Sequence, residues 1–266
     1  VTVQVRYVTL HEEQPALGFW DQEVLRRPFG WLNATEGDGL DGLDGLDPLD
    51  PLVVVIPGRM NYSREGELAA LLAPFRRLVV LATGDEEGRC DPMAAAPNAA
   101  GWWKQMPSTP SESVDVLPLG PAPHAWSGLT RPHADRDFAW CFAGQVTHES
   151  RRSLARALLD APGGLLVVSD RFAAGIPPDA YAALLGRSRV VPCPAGPMHP
   201  ETFRVWEAIE VGAVPLVERR TADGRGWTWL WDRLGIPAGL TVEGWDGVRG
   251  VIESAPEGGW QTAANR

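Results

Sequence analysis

The chain alternates between short, uninterrupted apolar runs and stretches in which apolar residues recur every three or four positions. Leu52–Gly58 (LVVVIPG) has no polar interruption, which predicts a strand covered on both faces. Arg64–Arg76 then places Leu68, Leu71, Leu72 and Phe75 on one side of a helix. Leu78–Glu87 (LVVLATGDEE) predicts a second buried strand ending in glycine and acids. Strand, helix and strand in that order predict a right-handed parallel crossover. Upstream, Val1–Leu10 alternates Val3, Val5 and Tyr7 and predicts a first strand, followed by a loop or helix through Phe19–Leu32. Ala94–Pro123, rich in Ala, Pro and Ser, offers one short strand, Val114–Pro118.

The second half repeats the pattern. Strands are expected at Phe138–Gly144, Leu165–Ser169, Ser188–Pro192 and Val214–Val217. Helices are expected at Glu149–Asp160, Asp179–Leu185, Pro200–Val211 and Val248–Ser254. This alternation predicts an α/β protein with two doubly wound domains facing a cleft, ligand lying at the carboxyl ends of the strands. A hinge within Pro118–Pro132 divides the chain into 1–123 and 124–266. Gly37–Leu52 (GDGLDGLDGLDPLDPL) cannot bury a continuous face and reads as a surface loop. Its repeated Asp lacks the nine-residue glycine-rich period of calcium-binding β-rolls.

Composition narrows the partners. A net charge of −10 over 266 residues argues against general attraction to nucleic acid or anionic membrane, so any anion pocket must be local. The three cysteines, Cys90, Cys141 and Cys193, lack metal-ligand spacing and read as buried thiols in a reducing compartment. No apolar run approaches the ~20 residues of a membrane span, and the first residues lack the order of a secretory signal. A cytoplasmic protein without a transmembrane segment is expected. Twelve tryptophans fit either sugar stacking or a large core.

Two segments carry candidate chemistry. Phe138–Gly144 delivers a glycine, which lets a ligand approach the backbone, just before a helix whose free N–H groups favour phosphate. Arg151 and Arg152 stand in that helix's first turn, against its dipole, where an anion would compensate them. The second segment runs from Ser188 through Cys193-Pro194-Ala195-Gly196 into a helix opening at Pro200 and closing at Gly212. Thr202, Arg204 and Glu207 fall in its first two turns. Arg204 and Glu207 are i, i+3 neighbours, whereas Phe203, Trp206 and Ile209 are expected to face the core.

This second segment resembles the nucleotide-sugar-binding block of exostosin-type glycosyltransferases, which have the GT-B architecture of two Rossmann-like domains. The resemblance rests on Ser188, Cys193-Pro194-Ala195-Gly196, Thr202-Phe203-Arg204-Val205-Trp206-Glu207-Ala208 and Gly212-Ala213-Val214-Pro215, with Phe142-Ala143-Gly144 and Arg151–Arg152 upstream. It covers Phe138–Val217, under a third of the chain, and the amino-terminal domain is reduced for the family. It implies a metal-independent hexosyl- or pentosyltransferase moving a sugar from a nucleoside diphosphate, commonly uridine diphosphate, to a hydroxyl acceptor. The sugar nucleotide is then a co-substrate, and no cofactor is implied. Donor-side residues would be Gly144, Arg151, Arg152, Ser188, Gly196, Thr202, Arg204 and Glu207. The arginines would stabilise the leaving diphosphate, Thr202 would contact phosphate, and Glu207 would accept from the ribose hydroxyls.

An inverting transfer also needs a base. Asp85, Glu86 and Glu87, at the end of a predicted strand, are candidates, with His148, His124 and His133 as rivals. The alternative is a non-catalytic relative that binds nucleotide or a protein partner. A different α/β nucleotide enzyme is a third reading, without the GxGxxG fingerprint that would favour it.

Overall fold

The computed structural model describes residues 4–7, 34–35, 43, 45–57, 65–85, 91–122, 129–171 and 175–254. The loop or helix expected at Phe19–Leu32, and Glu86, Glu87, Cys90 and His124, lie outside them. The chain divides into two compact units, Val1–Leu119 and Gly120–Arg266. The division falls at the start of the proline-rich stretch.

The first unit carries a six-stranded parallel sheet in the order β2-β1-β3-β4-β5-β6. Its strands are β1 Gln4–Tyr7, β2 Ala34–Thr35, β3 Leu52–Pro57, β4 Leu78–Thr83, β5 Gly101–Lys104 and β6 Val114–Val116. Helix α1, Glu65–Leu72, crosses from β3 to β4 as the apolar spacing requires. One face of the sheet (Val54, Ile56, Val80, Ala82) packs on Leu68, Leu72 and Phe75. On the other, Val55 and Leu81 meet Trp103 and Leu117. Burial on both sides accounts for the absence of polar residues in β3 and most of β4.

Three elements here have no expected counterpart, the first being the two-residue strand β2. Helix α2, Pro92–Ala95, is a single turn, with Asp91 accepting from Met93 N and Ala94 N. Strand β5 is four residues with two tryptophans, too short to show a period, and its pairing between β4 and β6 fixes it.

The second unit carries a five-stranded parallel sheet in the order β11-β10-β9-β7-β8. The strands are β7 Phe138–Gln145, β8 Gly164–Ser169, β9 Ser188–Cys193, β10 Val214–Glu218 and β11 Thr241–Val242. The helices are α3 Glu149–Leu158, α4 Pro178–Gly186, α5 Phe203–Glu210, α6 Thr228–Arg233 and α7 Val248–Glu253. From β7 the chain steps to β8 on one side, then crosses back over β7 to β9 and continues to β10. Right-handed crossovers in opposite directions place their helices on opposite faces. Accordingly α3 packs with α7, and α4 packs with α5. The strand order therefore reverses between β7 and β9, and the carboxyl ends of those two strands open a crevice.

Helix α5 begins at Phe203 with Thr202 as its N-cap, so Pro200 lies in the loop before it. Its buried face is Val205, Glu207 and Ala208, while Phe203 is 37% exposed and Trp206 and Ile209 are half-buried. The expected orientation is thus corrected: small aliphatic side chains approach the sheet, and the bulky stripe lies to the side. The helix closes as expected at Gly212 (φ +69°), where Ala213 N donates to Ala208 O and Gly212 N to Ile209 O. Just beyond, buried Arg136 gives Nη2 to Val211 O (2.6 Å) and Nη1 to Ser188 O (2.7 Å), tying the helix end to the start of β9.

A Cβ at Gly212 would lie 3.2 Å from Arg136 Nη2, on a backbone that side chains adopt only with strain. Gly212→Ala should therefore cost at least about 1–2 kcal/mol of stability, read as a lower urea midpoint.

Candidate functional site

The crevice between β7 and β9 is built from the two loops that follow these strands and from the helix starts they lead into. From the first, β7 brings Phe142, Ala143 and Gly144 to the sheet edge, and the chain turns into α3 with His148 as its N-cap. His148 makes no side-chain cap bond, and its Nε2 is buried without a partner. Arg151, one turn in, is half-buried, with Nε buried and likewise unpartnered. Burial, and next the charge of Arg204, pull the Arg151 pKa down to about 10. Burial, and next Arg151 and Arg152, hold the His148 imidazole down to about 4.

Arg152 acts on His148 by its charge alone and does not turn into the crevice. It is exposed, its Nε donates to Glu149 Oε2 (3.1 Å) and its Nη1 to Thr147 O (3.0 Å). Arg156 also binds Glu149. Of the two consecutive arginines, only Arg151 turns inward.

From the second side, α5 supplies Arg204. Its Nη2 donates to Ala143 O at 2.7 Å, and its guanidinium lies 4.8 Å from the Phe142 ring centroid and 6.0 Å from that of Tyr181. Its Nε is buried without a partner. Gly144 makes the approach possible, because a Cβ there would stand 2.6 Å from Arg204 Nη2. Glu207, 5% exposed, accepts from Tyr181 Oη at 2.9 Å. The carboxylate expected to meet ribose hydroxyls is thus engaged inside the unit. Thr202 caps α5 by position only: its side chain makes no cap bond and its Oγ1 is buried and unpartnered. Gly196 N closes the preceding loop onto His199 O at 2.8 Å.

Glu218, at the end of β10 and 2% exposed, fastens the two sides together. Its Oε1 accepts from Ser150 Oγ in the first turn of α3, and from Ala195 N (2.6 Å) in the loop after β9. Trp245 Nε1 reaches Ser150 Oγ at 3.3 Å, and Trp231 Nε1 donates to Glu218 O at 2.8 Å. Burial pushes the Glu218 pKa above the usual carboxylate range against those hydrogen bonds. Sequence reading missed Glu218, Ser150 and Tyr181. An acid directly after the buried run Val214–Val217 is the one signal that marks Glu218.

The arrangement is suited to an anion. His148 Nε2, Arg151 Nε, Thr202 Oγ1 and Arg204 Nε are buried donors or potential donors without partners, and all lie on the two loops and helix starts of this edge. Leaving such groups unsatisfied costs about 1–3 kcal/mol each, which a ligand accepting from them would recover. The chain matches no family model and no curated protein. Among the described residues no three His, Cys, Asp or Glu side chains converge to hold a metal ion. No described helix is long and apolar enough to cross a membrane.

Other expected residues fall elsewhere. Ser188 begins β9, at the end of the strand remote from Gly196. It is fully buried and donates to Leu184 O (2.8 Å), so it does not join the crevice. Asp85 belongs to the first unit, 2% exposed and paired with Lys104 Nζ at 2.7 Å. Its carboxylate is thus engaged inside the first unit. Trp227 and Trp231 are 1% exposed core residues. A depression of about 350 Å³ in the second unit is lined by Ala139, Arg189, Val190 and Ile252, at the amino ends of β7 and β9, and is separate from the crevice.

Because the folded pKa of Glu218 is raised, its contribution is present below the unfolded carboxylate pKa and is lost as pH rises through the folded value. Glu218→Gln keeps an oxygen for Ser150 and Ala195 but cannot ionise. Urea unfolding between pH 4 and 8 should show wild-type stability relative to the variant declining with rising pH. A pH-independent difference would count against the assignment.

Proposed function

We propose that the second unit binds the diphosphate of a nucleoside-diphosphate sugar, and that the protein is a glycosyltransferase transferring that sugar to a hydroxyl acceptor. The observation that carries this reading is that Arg151 and Arg204 lie within electrostatic reach of each other, with His148 beside Arg151 and with unpartnered buried nitrogens on all three, at the switch point of a parallel sheet. That is where such sheets take ligands, and two guanidinium groups without a shared carboxylate fit a doubly charged diphosphate. The resemblance of Cys193–Pro215 to exostosin-type enzymes supplies the sugar-transfer part. Two parallel-sheet α/β units in one chain agree with the GT-B architecture of that family.

In this reading Arg204 and Arg151 neutralise charge that develops on the leaving diphosphate as the sugar–phosphate bond breaks. Thr202 contributes a hydroxyl to the phosphate side, while Gly196, its N–H held by His199 O, closes the loop before it. Glu207, bonded to Tyr181, supports the helix turn that presents Arg204. The ribose role drawn from the resemblance would require Glu207 to exchange that partner. Uridine diphosphate is the donor base the resemblance favours.

Uridine diphosphate at a hundred times its Kd should stabilise the protein by about 2.7 kcal/mol, seen as a thermal shift that other bases do not match. Arg204→Ala and Arg151→Ala should each weaken binding by roughly ten- to a hundredfold, the loss of one charged hydrogen bond. Gly144→Ala should act in the same direction by displacing Arg204. No response to any nucleoside diphosphate would sink the proposal, and binding without hydrolysis or transfer of any sugar nucleotide would favour a non-catalytic relative.

A further inference from the structure

His148 is the member of the crevice whose chemistry the diphosphate reading leaves unused. It stands at the N-cap of α3 without capping it, with Nε2 buried and unpartnered, one turn before Arg151. The surrounding charges are arranged unfavourably for an imidazolium. On its own helix Arg151 and Arg152 act on it, while Glu149 is taken up by Arg152 and Arg156. From α5, Arg204 adds positive charge at Arg151. From β10, the Glu218 carboxylate is occupied by Ser150 and Ala195, and from α4 the Tyr181 hydroxyl is occupied by Glu207. An imidazole held so firmly neutral is a weak base at neutral pH, which argues against a role in deprotonating an acceptor.

The same surroundings invert once an anion arrives. A phosphate between Arg151 and Arg204 cancels the repulsion that keeps the imidazole neutral, and offers an oxygen to the partnerless Nε2. We propose that His148 is a third ligand of the anion held by Arg151 and Arg204, and that it takes a proton from the buffer as that anion binds. No bond in the anion breaks in this step; the imidazole gains a proton and donates from Nε2. The inference rests on the anion-site reading and extends it from charge to proton linkage. Binding should tighten as pH falls, by at most about tenfold per pH unit for one proton. The effect should fade once the free imidazole is itself protonated, near its value of about 4.

The test is calorimetric titration of the full chain with inorganic sulfate, which does not titrate in this range, and with uridine diphosphate. Each is run from pH 5 to 7.5 in two buffers of different ionisation enthalpy. Wild type should take up protons with sulfate, and should take up more than His148→Gln does with uridine diphosphate, whose own terminal phosphate titrates at about 6. His148→Gln should bind both more weakly, with flat pH dependence and no uptake for sulfate. The imidazole resonance of His148 in the unliganded protein, assigned by its loss in the variant, should move to a higher titration midpoint on saturation with sulfate. Binding without uptake in wild type, uptake unchanged in His148→Gln, or an unmoved midpoint overturns the role of His148 while leaving the anion site standing. Failure of both ligands to bind at every pH removes the anion site and this inference together.

Discussion

Arg151 and Arg204 come close enough for the charge of one to depress the pKa of the other, at the edge where the strand order of the second unit reverses. Two like charges in a half-buried crevice repel, and no carboxylate neutralises Arg151. The burden falls on Arg151, because Arg204 is supported from within the fold. It is held by the Ala143 carbonyl, lies near the rings of Phe142 and Tyr181, and has its pKa raised against burial by Tyr181, Cys193 and Glu207. The position is permitted only because residue 144 has no side chain. Three elements that are distant in sequence are thereby committed to one arrangement. The arrangement is costly unless a ligand completes it.

The rest of the second unit fixes that edge from below. Glu218 joins the first turn of α3 to the loop after β9, so the two sides that carry Arg151 and Thr202 are tied through one buried carboxyl. Burying a carboxyl is tolerable only when its oxygens are satisfied. Here the satisfying groups are a hydroxyl and a backbone N–H belonging to the elements that must be positioned. At the opposite end of the strands Arg136 does comparable work with carbonyls alone, joining Arg131 O, Ser188 O and Val211 O. Burial lowers its pKa, in keeping with a cation whose partners are dipoles rather than ions.

Much of this frame was readable from sequence because it follows from periodicity. The runs Leu52–Pro57, Leu78–Thr83 and Val214–Val217 are apolar since both faces of a parallel strand are covered, and Gly212 ends α5 since a left-handed residue is needed there. Single turns and four-residue strands escaped, because α2 and β5 are shorter than any period they might display. The side of α5 that faces the sheet was misread for a different reason. Hydrophobicity alone favours burying Phe203, Trp206 and Ile209, but the close packing of α5 on β9 and β10 admits Val205 and Ala208 instead. Of the site, the pairing of Arg204 with the strand end at Gly144 was visible as two separate motifs. That Arg152 and Ser188 do not join them depends on a helix rotation and a strand end, which spacing does not specify. Glu218 and Tyr181 act across elements, and a lone acid or tyrosine carries no mark of its partner.

The chain's net charge of −10 bears on how such a site works. A field of that sign repels a diphosphate at long range, although physiological salt screens it beyond ~8 Å. Attraction must therefore be generated at short range, where water is partly excluded and each charge interacts more strongly. Half-burial of Arg151 and Arg204 provides this, since part of their desolvation is already met in folding. Their mutual repulsion then works for the ligand, because the first anion to enter relieves it. A crevice built from surface lysines would be screened along with the rest of the surface. One built from buried, partnerless guanidinium nitrogens keeps its preference for anions inside an acidic protein.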